Sequence, residues 1–104
     1  MALRELSVEE RAEAREKALR ARQRRAELKN DFAAGRIGLE EVFTQADQDP
    51  AVGRLRTVEL IQSLPGVGEV RARRVMEVCG ISPLRRLKGV GRRQREALSA
   101  YIGR

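Results

Sequence analysis

Apolar residues recur at helical spacing along most of the chain, and no stretch alternates apolar and polar residues as a strand would. This pattern predicts an all-α fold. A run without Gly or Pro, rich in Ala, Glu, Arg and Lys, predicts a long first helix from Val8 to about Ala34. Ser7 and Glu10 complete a capping box at its start. Further helices are predicted at Leu39–Ala46, from Pro50 through Gly53, from about Thr57 to Leu64, at Glu69–Cys79 and at Arg92–Ile102, with one helical turn at Ile81-Ser82-Pro83.

The large apolar residues predict which positions form the core. The first helix has few of them, so Leu28 and Phe32 are expected to anchor its C-terminal end. Arg92, Arg93 and Arg95 of the last helix are expected to face solvent. The other predicted core positions are Val42, Phe43, Val58, Leu60, Ile61, Leu64, Val70, Val75, Met76, Val78, Cys79, Ala97, Leu98 and Tyr101. The 104 residues therefore divide into a solvated helical arm, residues 1–34, and a small domain, residues 35–104.

The most informative segment is Leu64-Pro65-Gly66-Val67-Gly68, which opens directly into the helix Glu69–Cys79. Gly66 and Gly68 can adopt positive φ and have no Cβ to keep another molecule away. The first amides of a helix lack an intrahelical acceptor, and the helix dipole adds positive charge there. This turn is therefore a candidate phosphate site.

A second copy, Leu87-Lys88-Gly89-Val90-Gly91, follows 23 residues later and precedes the helix Arg92–Ile102. Two such units predict a paired arrangement that grips phosphates. Arg95 stands where the first copy has Ala72, so its helix is expected to pack less closely. The candidate contacts read from the residues alone are Gly66, Gly68, Arg71, Arg73, Gly89, Gly91, Arg92 and Arg93.

The charge distribution favours a polyanionic partner. The chain carries a net charge of +7, and residues 51–104 alone contain 12 basic and 4 acidic side chains. Of the 22 basic residues 19 are Arg, which suits bidentate phosphate contact. Four of these, Arg20, Arg22, Arg24 and Arg25, lie on the arm, which is either a second polyanion contact or simply a solvated helix.

Composition excludes several classes of site. With one cysteine and no histidine, the chain can form neither an intramolecular disulfide nor a cysteine-cluster zinc site, nor a His-dependent triad. We expect no metal and no cofactor. No run of about 18 apolar residues indicates a membrane span, and the N-terminus lacks a signal-peptide core, so a cytoplasmic location is expected.

Several segments of the chain match one known family. They are the opening Met-Ala-Leu, the arm ending Ala26-Glu27-Leu28-Lys29, the first Gly-x-Gly turn with Val70-Arg71-Ala72, Gly80-Ile81-Ser82, the run from Arg85 to Gly91, and Arg93-Gln94-Arg95. Together these segments resemble the actinobacterial-type integration host factor family. The resemblance implies a long N-terminal helix followed by a compact helix-two-turns-helix domain. It also implies a nucleoid-associated monomer that binds double-stranded DNA with little sequence preference, bends or compacts it, affects supercoiling and supports phage integration.

The resemblance also assigns residues and partners. It places backbone phosphate contacts at Gly66, Val67 and Gly68 and basic contacts at Arg85, Arg86 and Lys88. Topoisomerase I and a phage integrase become candidate partners. One position departs from the family: Glu69 stands where Lys is usual, so the first turn is expected to hold phosphate less strongly.

Three alternatives remain open at this stage, besides a turn that binds nothing. Glycosylases and nucleases use similar hairpins, but the chain has no Lys/Asp pair at the first turn and no carboxylate cluster for Mg²⁺. A module that binds structured RNA or the ribosome is the second alternative, because phosphates alone do not distinguish RNA from DNA. The third is an adaptor that binds a protein partner through the arm.

Overall fold

The computed structural model describes residues 5–104, and within this range the chain is helical with one isolated β-bridge, between Arg56 and Arg86. The opening Met-Ala-Leu lies outside the described residues. The helices are α1 (Val8–Ala33), α2 (Leu39–Gln48), α3 (Pro50–Gly53), α4 (Thr57–Gln62), α5 (Glu69–Val78) and α6 (Arg92–Ile102), with a 3-10 helix at Leu87–Gly89. The predicted all-α fold and helix positions are confirmed, except that Pro83 and Leu84 form a turn and not a helix.

The first helix begins at the predicted capping box. The Glu10 amide donates to Ser7 Oγ at 3.0 Å, and the Ser7 amide donates to Glu10 Oε1 at 3.2 Å. Leu28 and Phe32 are the only buried residues of α1, as predicted, so its N-terminal part is solvated.

Two arginines of α1 also attach this helix to the domain. Arg24 donates to Gln45 Oε1 on α2 and pairs with Asp49 at 3.3 Å. Arg25 donates to the Ala51 carbonyl at 3.3 Å. Arg24 and Arg25 lie about one turn before Leu28, so the attached part of α1 extends further toward the N-terminus than the apolar pattern indicated.

The core holds most of the expected aliphatic side chains together with Phe32 and Phe43. Helices α4 and α5 pack against each other, and the small Ala72 of α5 is fully buried. Cys79 is buried at the end of α5, where loss of solvation raises the pKa of its thiol. Gly80 follows with φ +68°, the left-handed cap that the sequence predicts.

Some core predictions for α5 and α6 are wrong. Val70 is 85% exposed, Val78 is half-exposed, and Ala97 and Tyr101 also face solvent. On α5 the buried positions cluster on one side, and at 100° per residue Val70 lies on the opposite side. On α6 Leu98 is the only buried residue. Both helices cover the core with a narrow stripe, so apolar residues outside that stripe remain exposed.

Arg95 was expected to face solvent, and this is also wrong. Its guanidinium donates to both carboxylate oxygens of Asp47, at 2.7 and 2.8 Å, and its Nε donates to the Val90 carbonyl at 2.8 Å. The guanidinium carbon lies 4.6 Å from the centre of the Phe43 ring. Arg95 therefore joins α6 to α2.

Candidate nucleic-acid interface

The first Gly-x-Gly segment forms an open backbone turn. Gly66 has φ +79°, whereas Gly68 is extended at φ −87°, so only one of the two glycines uses the left-handed region. A Cβ at either position would meet no atom of the described residues within 4 Å. Nothing in residues 5–104 therefore covers the turn.

Gly68 is the N-cap of α5 and leaves the first amides of that helix free. The first helical hydrogen bond runs from the Ala72 amide to the Gly68 carbonyl at 2.9 Å. The amides of Glu69, Val70 and Arg71 precede it and have no intrahelical acceptor. Together with the helix dipole they form a positive, uncovered site for an anion.

A cleft lies beside this turn. Its walls include Gly66, Gly68, Val70, Arg71, Arg74 and Tyr101. We call it the turn cleft. Arg71, one of the predicted contacts, lies here, and so does Tyr101, which helical periodicity had assigned to the core.

Two charged side chains at the turn neutralise each other. Glu69, the residue that departs from the family pattern, pairs with Arg73 at 3.0 Å, and both are well exposed. Glu69 lines the turn cleft, whereas Arg73 does not. The Glu69 carboxylate therefore partly neutralises the charge of Arg73, one of the predicted contacts. Because both side chains are exposed, the pair contributes little to the free energy of unfolding.

The second Gly-x-Gly segment has a different structure from the first. Gly89 ends the 3-10 helix, and Gly91 is extended at φ −73° and caps α6. Gln94 Oε1 accepts from the Gly91 amide at 3.0 Å. Arg85 folds over Gly89 and donates to its carbonyl at 3.1 Å. Protein side chains thus occupy positions that are open in the first turn.

A second cleft forms where the arm meets the domain. Its walls carry five arginines and a single carboxylate, Glu59. The arginines are Arg22 and Arg25 of α1, Arg54 and Arg56 of the segment before α4, and Arg86. We call it the arginine cleft. Arg56 and Arg86 are brought together by their β-bridge, although they lie 30 positions apart in the sequence.

Only two of the seven cations predicted from the sequence line these clefts, whereas Arg73, Arg85, Lys88, Arg92 and Arg93 line neither. Arg71 belongs to the turn cleft and Arg86 to the arginine cleft. Among residues 5–104 the side chains of Arg71, Arg86, Lys88 and Arg93 have no hydrogen-bond or ion-pair partner. Arg92 lies 3.8 Å from Glu96, with both side chains exposed. Most of the predicted cations are therefore free to meet an anion.

Of the arm arginines, Arg22 and Arg25 line the arginine cleft, and Arg24 is held by Gln45 and Asp49. Arg20 pairs with Glu16 at 3.0 Å on the exposed surface. No apolar pattern indicated which of these four would face the domain, because the choice depends on how α1 is rotated.

Two other kinds of site, a metal-binding cluster and a membrane-spanning helix, are not found in the described part of the chain. Residues 5–104 contain no group of three or more Cys, Asp or Glu side chains placed to hold a metal ion. No helix in the same range is long and apolar enough to cross a membrane.

Comparison with known proteins identifies the fold. A family model described as the S13-like H2TH domain matches residues 32–101. The chain is 46% identical over 98 residues to the integration host factor of Mycolicibacterium smegmatis, covering 94% of this chain and 93% of the relative. It is 44% identical to the integration host factor of Mycobacterium tuberculosis over 103 residues, 99% and 98% of the two chains.

A solved structure shows the same architecture. It is described as sIHF bound to an 8-base-pair palindromic DNA, and it superposes with a TM-score of 0.80 at 42% identity. The match covers 85% of this chain and 99% of that chain. Similarity of this extent in both sequence and fold shows that the chain belongs to the integration host factor family with an S13-like H2TH domain.

Proposed function

We propose that this protein binds double-stranded DNA with little sequence preference and has no enzymatic role. The observation that carries the proposal is the uncovered backbone turn Gly66–Gly68 at the start of α5, with Arg71 and Arg74 beside it. A relative of the same fold is described as DNA-bound. Backbone amides and guanidinium groups that contact phosphates carry no information about the bases, so binding through such contacts depends on DNA shape and not on sequence.

The arginine cleft gives the duplex a second contact. Three of its five arginines, Arg22, Arg54 and Arg86, have no side-chain partner among the described residues, and phosphate is the anion whose geometry a guanidinium matches in a bidentate manner.

Arg56 is partly buried, as Arg25 is, but it keeps most of its N–H donors free, because only one of them is used, in the hydrogen bond to the Leu84 carbonyl at 2.9 Å. We therefore propose that the turn cleft and the arginine cleft both contact the DNA backbone, with Arg85, Lys88, Gly89, Gly91, Arg92 and Arg93 as further contacts.

The test is a titration of a labelled random-sequence duplex, followed by fluorescence anisotropy at several salt concentrations. Each phosphate contacted contributes about −0.9 to the slope of log K against log salt, so a slope of roughly −4 to −8 is expected. Arg71→Ala and Arg86→Ala each remove one free cation, one from each cleft, and each should weaken binding and make the slope shallower by about 1.

Arg11→Ala is the matched control. It removes the same charge from an exposed site on the first turns of α1, outside the residues that line either cleft. Its slope should equal that of the wild type. Equal slopes for all three variants would mean that net charge alone attracts the duplex and that neither cleft is a binding site.

Competition with duplex RNA in the same assay decides the runner-up function. The S13-like H2TH match covers the domain without specifying the nucleic acid, and both polymers offer phosphates. We expect DNA to compete better than RNA of the same length and sequence. Stronger competition by RNA would replace the DNA proposal with an RNA-binding one.

We further propose that the bound protein bends or compacts DNA as a monomer, in the cytoplasmic nucleoid, and thereby affects supercoiling, topoisomerase I action and phage integration. Two separate basic clefts on one chain support this proposal, because a duplex that contacts both must follow the protein surface. Faster ligase-catalysed closure of short linear duplexes into circles is the expected result, with one protein monomer bound per site.

A further inference from the structure

The loop between α5 and the 3-10 helix leaves the core at Ile81 and returns to it at Leu87, both of which are buried. Each end is fixed by backbone hydrogen bonds. The Ile81 amide donates to the Met76 carbonyl at 2.9 Å, and the Leu87 amide donates to the Leu55 carbonyl at 2.9 Å. The Thr57 amide also donates to the Arg85 carbonyl at 3.0 Å. The loop is therefore a short, firmly held projection.

Leu84 lies at the tip of this loop with 71% of its surface exposed. Pro83 restricts the backbone before it, and the Arg85 amide closes the turn by donating to the Ser82 carbonyl at 2.9 Å. A single exposed leucine is ordinary on a protein surface. Leu84 differs from the exposed apolar residues of the helices because it is presented at the end of a rigid loop.

Cations surround this leucine. Arg85 and Arg86 follow it, and Arg56 donates to the carbonyl oxygen of Leu84 itself at 2.9 Å. Arg56 and Arg86 both line the arginine cleft, so Leu84 adjoins that cleft through these two residues without lining it. A duplex whose phosphates lie against these guanidinium groups would place a groove opposite the leucine.

We propose that Leu84 enters the minor groove of the bound duplex and partly unstacks one base step, while the arginines beside it hold the adjacent phosphates. This inference rests on the proposed function. Rigid apolar side chains flanked by Arg are suited to this role, because arginine favours the narrow, negative minor groove and an apolar wedge displaces stacked bases without needing a hydrogen bond. The kink that results bends the DNA.

The wedge has a consequence for DNA choice. Pyrimidine–purine steps such as TA are the easiest to unstack, whereas A-tracts are stiff. The wild type should therefore prefer a duplex with central TA steps to an A-tract duplex of equal length, and Leu84→Ala should remove most of that preference.

The first experiment uses the absence of tryptophan from the chain. Leu84→Trp introduces a single indole at the loop tip, and Leu19→Trp introduces one at another exposed leucine, on α1, as the control. Stacking on bases should quench the emission from Leu84→Trp and protect it from acrylamide when random duplex is added. The emission from Leu19→Trp should change little. Anisotropy of the labelled duplex shows that both variants bind.

The second experiment separates bending from binding. End-labelled duplex reports the bend by energy transfer, at protein concentrations that saturate each variant. Leu84→Ala should abolish most of the change in energy transfer and should weaken duplex affinity about tenfold. The slope of log K against log salt should stay the same, because no phosphate contact is removed. Circular dichroism and urea unfolding should match the wild type, since Leu84 is outside the core.

The two failures are distinguishable. If the wild type does not bind duplex, the proposed function fails and this inference fails with it. If the wild type binds and bends DNA, yet the Leu84→Trp indole is not quenched and Leu84→Ala bends DNA equally, only the wedge is wrong. Binding by the wild type without bending would also refute the wedge while leaving the proposed function intact.

Discussion

At the scale of single residues, the two glycines of the first turn have separate roles that mutation can distinguish. Gly66 has φ +79° with open space around it, so Gly66→Ala meets backbone strain and no steric clash. We expect a loss of about 1–2 kcal/mol in the free energy of unfolding.

Gly68→Ala should leave stability unchanged, because Gly68 is extended and a methyl group there meets no described atom. The same methyl group lies where a phosphate would approach the free amides, so duplex affinity should fall. Urea unfolding and duplex titration of both variants measure the two effects. Unaltered affinity for Gly68→Ala would show that this backbone does not contact DNA.

Arg95 is the residue whose role changed most between sequence and structure. Arg95→Ala removes a hydrogen bond from the Val90 carbonyl and the cation from the Phe43 ring, and the free energy of unfolding should fall by about 1–2 kcal/mol. The pKa of Arg95 is raised, chiefly by its hydrogen bonds to Asp47, so the guanidinium stays charged at every pH at which the protein is studied.

The same contact predicts a pH dependence. The hydrogen bonds from Arg95 lower the pKa of Asp47 below its ordinary value of 3.8. A carboxylate whose pKa is lower in the folded state than in the unfolded state contributes its full stabilisation at pH values above the unfolded-state pKa. This contribution is lost as the pH falls through the folded-state pKa. The stability gap between the wild type and Arg95→Ala should thus be constant above about pH 5 and shrink below 3.8. A gap that stays constant to pH 2 would contradict this role for Asp47.

At the scale of elements, α1 joins a solvated segment to a docked one. Its buried anchors and the Arg24 and Arg25 contacts all lie in its C-terminal half. A helix without tertiary contacts is only marginally stable in water, even with a good cap.

Amide hydrogen exchange of the free protein should therefore divide α1 into two parts. We expect fast exchange over residues 12–17 and slow exchange over residues 28–33, where opening requires loss of the Leu28 and Phe32 contacts. Exchange followed by mass spectrometry of peptic fragments resolves the two segments. Equal protection along the helix would require a further contact for the arm.

At the scale of the whole molecule, the charge that attracts DNA does not titrate near neutral pH. The chain has no histidine, and 19 of its 22 basic residues are arginines. Duplex affinity at fixed ionic strength should therefore vary by less than about twofold between pH 6 and 9. Anisotropy titrations in buffers of matched salt test this, and a marked fall toward pH 9 would indicate a contact other than guanidinium and backbone amide.

The sequence by itself determined the local features of this protein. Helix bounds, the Ser7–Glu10 capping box and the Gly80 cap follow from neighbours within about four positions, whose geometry a helix fixes in advance. The Gly66–Gly68 turn likewise depends on neighbouring residues, and the net positive charge is a sum over side chains that does not depend on the fold. The resemblance to the integration host factor family rested on such features, and the comparisons confirm it.

Only the tertiary structure decided how distant parts meet. The Asp47–Arg95 contact spans 48 positions, and the arginine cleft joins the arm to Arg86. The exposure of Val70 and Tyr101 depends on which stripe of each helix faces the core, and two similar Gly-x-Gly segments differ because side chains cover only the second. These outcomes depend on how whole helices are rotated and placed relative to one another. The packing of the complete core determines that placement, and local periodicity does not.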